Sequence, residues 1–300
     1  MSGQVVHTTK NSSGSVTGIA VLDDRMYVSS WDTPQVAVYC PTTFQRQSIL
    51  SFICEYCRGQ EKNAVECRQC YAGMLFGHMQ DYGYTYYPPK IRHMVGCGVN
   101  KCLYASGHDR NSIYKVAIGR QNNTLSSWST SQSSRSTGRN PQGLSVTSSH
   151  NLLVVFSNST VLNEYSTDGD LIREINFQLA GISVPVHAVQ LSNDRYAVVH
   201  HRPRHQLSVV SSDGQLVQSY CGDAGNMNEP RGFAVYQAGR MFVADQNNNR
   251  ILVVNCKTLS AFQLPTDCRL NGPYSIHCDS ASRRLYIGEW NGGRIVCCKL

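Results

Sequence analysis

The segment Asn228-Glu229-Pro230-Arg231-Gly232-Phe233-Ala234-Val235, followed after a short spacer by Met241-Phe242-Val243-Ala244-Asp245, Gln246 to Arg250 and Ile251-Leu252-Val253-Val254, reads as strand, turn, strand, polar loop and strand. Short β-branched and aromatic runs bounded by Gly, Pro and Asn carry that reading. The middle strand recurs at Met26-Tyr27-Val28-Ser29, Leu103-Tyr104-Ala105-Ser106, Leu153-Val154-Val155-Phe156, Tyr196-Ala197-Val198-Val199 and Leu285-Tyr286-Ile287-Gly288. From Leu103 the steps are 50, 43, 45 and 44 residues, and the first step, 77 residues, holds an insertion. A repeat of this length marks a solenoid or a propeller.

Each unit also has an earlier apolar strand, at Gly18 to Val21, His93 to Cys97, Gly143 to Val146, Val186 to Val189, Gly232 to Val235 and Pro273 to Cys278. A third strand follows the polar loop, as at Val36 to Tyr39, Val161 to Tyr165 and Ile295 to Cys298. Ser166-Thr167-Asp168-Gly169 and Ser211-Ser212-Asp213-Gly214 lead into fourth strands at Leu171 to Phe177 and Leu216 to Tyr220. Asp-Gly accepts the positive backbone angles of a tight hairpin, so the third and fourth strands should pair directly.

Six such units predict an all-β fold, a six-bladed β-propeller. The blades are expected over about 16–53, 91–131, 141–178, 185–221, 230–265 and 272–300, with 54–90 as a Cys- and Tyr-rich insertion. The sixth unit stops after its third strand at Leu300, while Val5-Val6-His7-Thr8 precedes the first unit unused. A strand over residues 4–9 is therefore expected to complete the last blade and remove the open edge.

Composition agrees. Hydrophobic residues make up 41% of the 300 and charged residues only 16%, against a norm of about 25% for charged residues, which points to a turn-rich β protein. No apolar run approaches the roughly 18 residues of a membrane helix, so no membrane partner is expected. Met1 to Ser13 is polar and unlike a signal peptide, which predicts a cytoplasmic location. Most of the thirteen Cys sit in apolar runs such as Ile295-Val296-Cys297-Cys298 and are expected to be small buried side chains.

Asn228 through Ile251 resembles a well-formed NHL repeat, and Gly272-Pro273 through Glu289-Trp290-Asn291-Gly292-Gly293-Arg294-Ile295 resembles a second. The other four units are degenerate in their polar loops. Over nearly the whole chain apart from the insertion, the sequence is similar to the C-terminal propellers of TRIM-NHL proteins, whose RING finger, B-boxes and coiled coil it does not contain. The resemblance implies binding of RNA on one rim. It also implies a place in post-transcriptional regulation or as a substrate adaptor in ubiquitination.

In a four-stranded meander, the loop between the second and third strands shares a rim with the connection into the next blade. That rim collects Trp31 from blade 1, and His108 and Arg110 from blade 2. It adds Arg139 from a connection, and His201, Arg202, Arg204 and His205 from blade 4. Arg231, Asn247 and Arg250 come from blade 5, Trp290 and Arg294 from blade 6. The chain has 27 Lys and Arg against 20 Asp and Glu, and twenty of the cations are Arg, whose planar fork suits phosphate and whose face stacks on bases. Arg, His, Asn and Trp on one rim suit single-stranded RNA. They suit a protein or peptide partner too. Asp245 and Arg250 have a second reading, as ion partners that tie neighbouring blades.

The insertion carries Cys54-Glu55-Tyr56-Cys57 and Cys67-Arg68-Gln69-Cys70. Two Cys-x-x-Cys turns are able to clamp a structural Zn²⁺ through Cys54, Cys57, Cys67 and Cys70; two disulfides or free thiols are the alternatives. His78 is a spare ligand and Cys40 a weaker one, and Tyr82 to Pro89 reads as cover for the insertion. Four Cys do not make a RING, so ubiquitin ligase activity is not expected within this chain. The enzymatic alternative is a metal-dependent lyase or hydrolase with an axial site built on His93, His187 and His277. No carboxylate accompanies them on a first strand, Asp279 reads as a turn residue just beyond one, and no nucleophile elbow or phosphate loop is present. The expectation is a non-enzymatic interaction module.

Overall fold

The computed structural model describes residues 3–11, 14–51, 90–107, 111–119, 124–130, 140–191, 194–222, 226–236 and 239–300. The four insertion cysteines, His78, the tyrosine-rich run, His108, Arg110 and Arg139 lie outside the described residues.

Twenty-four strands, β1 to β24 in chain order, build six four-stranded antiparallel sheets among the described residues. Five are consecutive meanders: β2 to β5 within 16–51, β6 to β9 within 91–129, β10 to β13 within 141–176, β14 to β17 within 185–220 and β18 to β21 within 230–263. The sixth takes β22 (Pro273–Asp279), β23 (Arg284–Glu289) and β24 (Arg294–Lys299) from one end of the chain and β1 (Gln4–Lys10) from the other. Gln4 lies opposite Lys299 and Lys10 opposite Arg294, so β1 covers the edge that β24 would otherwise expose. Asp279 is the last residue of β22 rather than beyond it, and its carboxylate accepts the backbone N–H of Ala281 and the Ser282 hydroxyl in the turn that follows.

The apolar side chains lie between neighbouring sheets. One cluster joins Leu22, Tyr27 and Val36 of blade 1 to Met94 and Leu103 of blade 2. The last joins Val16, Met26 and Tyr39 of blade 1 to Tyr286, Ile295 and Cys297 of blade 6, so the core closes the ring as well as the backbone does. Burying each large apolar side chain contributes about 1.5–3 kcal/mol. Burial pushes the thiols of Cys297 and Cys298 up to about 11 and about 12, and both pack as small apolar groups. The nine described cysteines are free.

Every first strand is bulged next to its opening residue. The register shifts between Val16 and Gly18, Ile91 and His93, Pro141 and Gly143, Pro185 and His187, Pro230 and Phe233, and Pro273 and Ser275. A bulge re-aims the residue it carries. Here that residue is Thr17, Arg92, Gln142, Val186, Arg231 or Tyr274. The position after it alternates between Gly in odd blades (Gly18, Gly143, Gly232) and a larger residue in even blades (His93, His187, Ser275). A Cβ on Gly143 would stand 2.3 Å from the Val186 carbonyl oxygen, and one on Gly232 would stand 2.7 Å from that of Tyr274. These glycines allow an odd blade to touch the even blade that follows.

Candidate nucleic-acid interface

Two kinds of position meet at one rim: the bulge residues Arg231 and Tyr274 of the first strands of blades 5 and 6, and Trp31, His201 and Trp290, each directly after a second strand, whereas the bulge residues Thr17, Gln142 and Val186 are buried. Trp31 and Trp290 are equivalent positions of the second kind in the adjoining blades 1 and 6. Their rings meet edge to face at 5.5 Å. Tyr274, a bulge residue, packs on Trp290 at 4.9 Å, and the Arg231 guanidinium, the next bulge residue, lies 5.5 Å over the Tyr274 ring. On the other side Lys90 places its ammonium 5.5 Å over Trp31. Arg231 then bonds Gln246 at 2.8 Å and the Glu229 carboxylate at 2.5 Å. Both His201 and His205 place an Nε2 atom 3.6 Å from that same carboxylate. A chain of touching aromatic and charged side chains thus runs from blade 2 across blades 1, 6 and 5 to blade 4.

The His201–His205–Glu229 group is the one set among the described residues whose ligand atoms converge as a metal site requires. Its hydrogen bonds favour a different role. The Glu229 N–H donates to His205 Nδ1 at 3.2 Å, which puts the ring proton on Nε2, facing the carboxylate. His201 Nε2 donates to the Pro230 carbonyl at 3.0 Å. Burial and then the Arg231 charge hold His201 below the ordinary histidine range, so it is neutral near pH 7. Arg202 and Arg204 stand exposed beside this group.

Arg250 and Arg294 do something else. Asp245 is fully buried, accepts the Asn228 N–H at 2.7 Å and holds Arg250 Nε at 2.7 Å. Glu289, 1% exposed, accepts the Asn271 N–H at 2.8 Å and is gripped by Arg294 through Nε and Nη2 at 2.8 and 2.7 Å. Both arginines also reach the connection that leads into their own blade, at Asn226 and Arg269. The pairs therefore brace each blade to its own lead-in loop, not one blade to the next as the sequence suggested. A tie across blades 5 and 6 comes instead from the side chain of Asn249, whose Oδ1 accepts the Gly272 N–H at 2.7 Å. Asn247 is exposed and bonds Asn228 at 3.3 Å.

Two of the first-strand histidines bond to backbone groups of neighbouring blades. His187 accepts the Phe233 N–H of blade 5 on Nδ1 at 3.2 Å and donates from Nε2 to the Leu144 carbonyl of blade 3 at 2.9 Å. Both nitrogens are in use, and burial holds its pKa at about 4. The His93 ring lies tilted against it at 4.6 Å and accepts the Leu144 N–H at 3.4 Å. The His277 ring lies 6.2 Å from that of Tyr286, and burial pushes its pKa down to about 4.

The sequence missed Tyr274, Lys90 and Glu229. Tyr274 was legible as the counterpart of Arg231, since Pro230-Arg231-Gly232 and Pro273-Tyr274-Ser275 occupy the same place in consecutive units. Nothing local marked Lys90 or Glu229.

The fold and the closed ring define a six-bladed β-propeller. Solved structures agree: virginiamycin B lyase from Staphylococcus aureus superposes with a TM-score of 0.63 at 11% identity, covering 98% of both chains. A protein of unknown function from Bacteroides caccae gives 0.62 at 13% identity over 89% of this chain and 83% of that one. The Swd1 β-propeller domain of Myceliophteria thermophila gives 0.59 at 10% identity over 95% and 83%. Identities this low show the fold alone. No family model matches the chain, and no curated protein matches it in sequence.

Proposed function

We propose that this chain is a non-enzymatic, NHL-like propeller module that binds single-stranded RNA along the rim arc from Lys90 to His205. The observation behind the reading is the unbroken contact of Lys90, Trp31, Trp290, Tyr274 and Arg231. Rings packed against one another offer faces and edges to successive flat bases, and each stacked base contributes about 1–3 kcal/mol. They do not surround an open space as a cage for a methylated ammonium does. Arg202 and Arg204, exposed at the far end, supply charge for the backbone. A structural zinc in the Cys54–Cys70 insertion, a cytoplasmic location and recruitment by a RING-bearing partner belong to the same proposal. The axial enzyme reading is disfavoured because both nitrogens of His187 are committed to backbone groups.

Filter binding of a mixed-sequence single-stranded RNA across a salt series tests it. Affinity should fall steeply with salt. The Arg202→Ala/Arg204→Ala variant should flatten the log–log slope by about 1.4, at about 0.7 per lost phosphate contact. Trp290→Ala should weaken binding roughly tenfold. Absence of RNA binding at low salt would leave a protein ligand as the occupant of this rim.

A further inference from the structure

Outward from the arc, where β1 completes the last blade, a cavity of about 690 Å³ opens between Lys10, Arg269, Asn271, Asn291 and the Glu289–Arg294 pair. Its volume is in the range of small-ligand sites. Its charge is one-sided. The single carboxylate in its wall, Glu289, is 1% exposed and neutralised by Arg294. Lys10 and Arg269 are both exposed, and among the described residues neither cationic group makes a hydrogen bond or an ion pair. Asn271 and Asn291 are exposed as well, with their side-chain amides uncommitted among the described residues. Asn291 directly follows Trp290, so the cavity adjoins the aromatic arc.

Two cations around a neutralised wall favour an anion, and two amides that each donate and accept suit the edge of a base. Together they match a nucleotide better than a bare inorganic ion. We infer that this cavity is a nucleotide subsite, in which Lys10 and Arg269 hold a phosphate and Asn271 and Asn291 contact the base; the inference rests on the single-strand reading for the source of that nucleotide. Half of its cationic wall is β1, the strand that locks the ring. A bound nucleotide therefore bridges the two ends of the chain, and its affinity adds to the stability of the closed ring.

The test compares wild type, Lys10→Ala/Arg269→Ala and Trp290→Ala, each checked for an unchanged circular dichroism spectrum. Three probes are used: the mixed-sequence RNA, uridine monophosphate and inorganic phosphate. The double variant should bind the RNA about tenfold more weakly with a shallower salt slope. Uridine monophosphate should raise the melting temperature of wild type, more than phosphate does at equal concentration, and should not raise that of the double variant. If the RNA binds all proteins but Trp290→Ala equally, the subsite is wrong and the rim reading stands. If no RNA binds yet uridine monophosphate stabilises only proteins that keep Lys10 and Arg269, the subsite stands with a free nucleotide as ligand and the rim reading falls. Equal stabilisation by phosphate alone, or none by any probe, overturns the subsite.

Discussion

Asp245 and Glu289 end the second strands of blades 5 and 6, and the arginine five residues on in each case is consumed by that carboxylate. The equivalent residue in blade 4 is His200, which donates to the Arg202 carbonyl and accepts from Ser208, so that blade braces its loop without a charge. Arginines of one kind, in equivalent loops, therefore separate into two roles. Arg250→Ala and Arg294→Ala each leave a buried carboxylate short of its cation and should cost about 1–3 kcal/mol, read by urea unfolding. Arg204→Ala removes an exposed side chain and should stay within about 0.5 kcal/mol. Comparable losses from all three would contradict this division.

Among the elements, the bulged first strand does most to place function. The bulge re-aims Arg231 and Tyr274, which then meet at the rim, while the same bulge in other blades leaves Thr17, Gln142 and Val186 buried. The same strands must approach one another closely, which is why Gly143 lies against the Val186 carbonyl. Gly143→Ala should destabilise the fold by about 2 kcal/mol or more, because the atom it meets is backbone and has nowhere to go. Gly98→Ala, whose new methyl would find its nearest neighbour 3.9 Å away at Leu22, should be close to neutral. Thermal melts of the two variants side by side decide the point.

The whole ring carries a pH dependence. His187 and His200, 4% and 2% exposed, both have pKa values held at about 4 by burial, below the ordinary histidine range. As pH falls through about 6.5 the unfolded chain takes up protons that the folded ring refuses, so stability falls until the folded-state values near 4 are reached. The loss should be about 1–2 kcal/mol for each of the two by pH 5, seen as a falling melting temperature between pH 7.5 and 5. A flat profile over that interval would show these imidazoles to be solvated.

The repeat in the sequence was enough to determine the six blades and the closing strand, since strand periodicity and turn chemistry are local and a 45-residue spacing leaves few ways to bury six half-apolar sheets. The burial of Cys297 and Cys298 was legible for the same reason. Which rim residues act together was not. Arg231 and Arg294 each bind a carboxylate, Glu229 and Glu289, but Arg231 also lies over the Tyr274 ring while Arg294 grips its partner through two nitrogens. The arc joins Lys90 and Trp31 to residues from the far end of the chain, and the cavity joins Lys10 to Arg269. Such contacts exist only after the ring closes, because they depend on the angle between neighbouring blades and on the bulges that turn side chains out of their sheets. No single repeat contains that geometry.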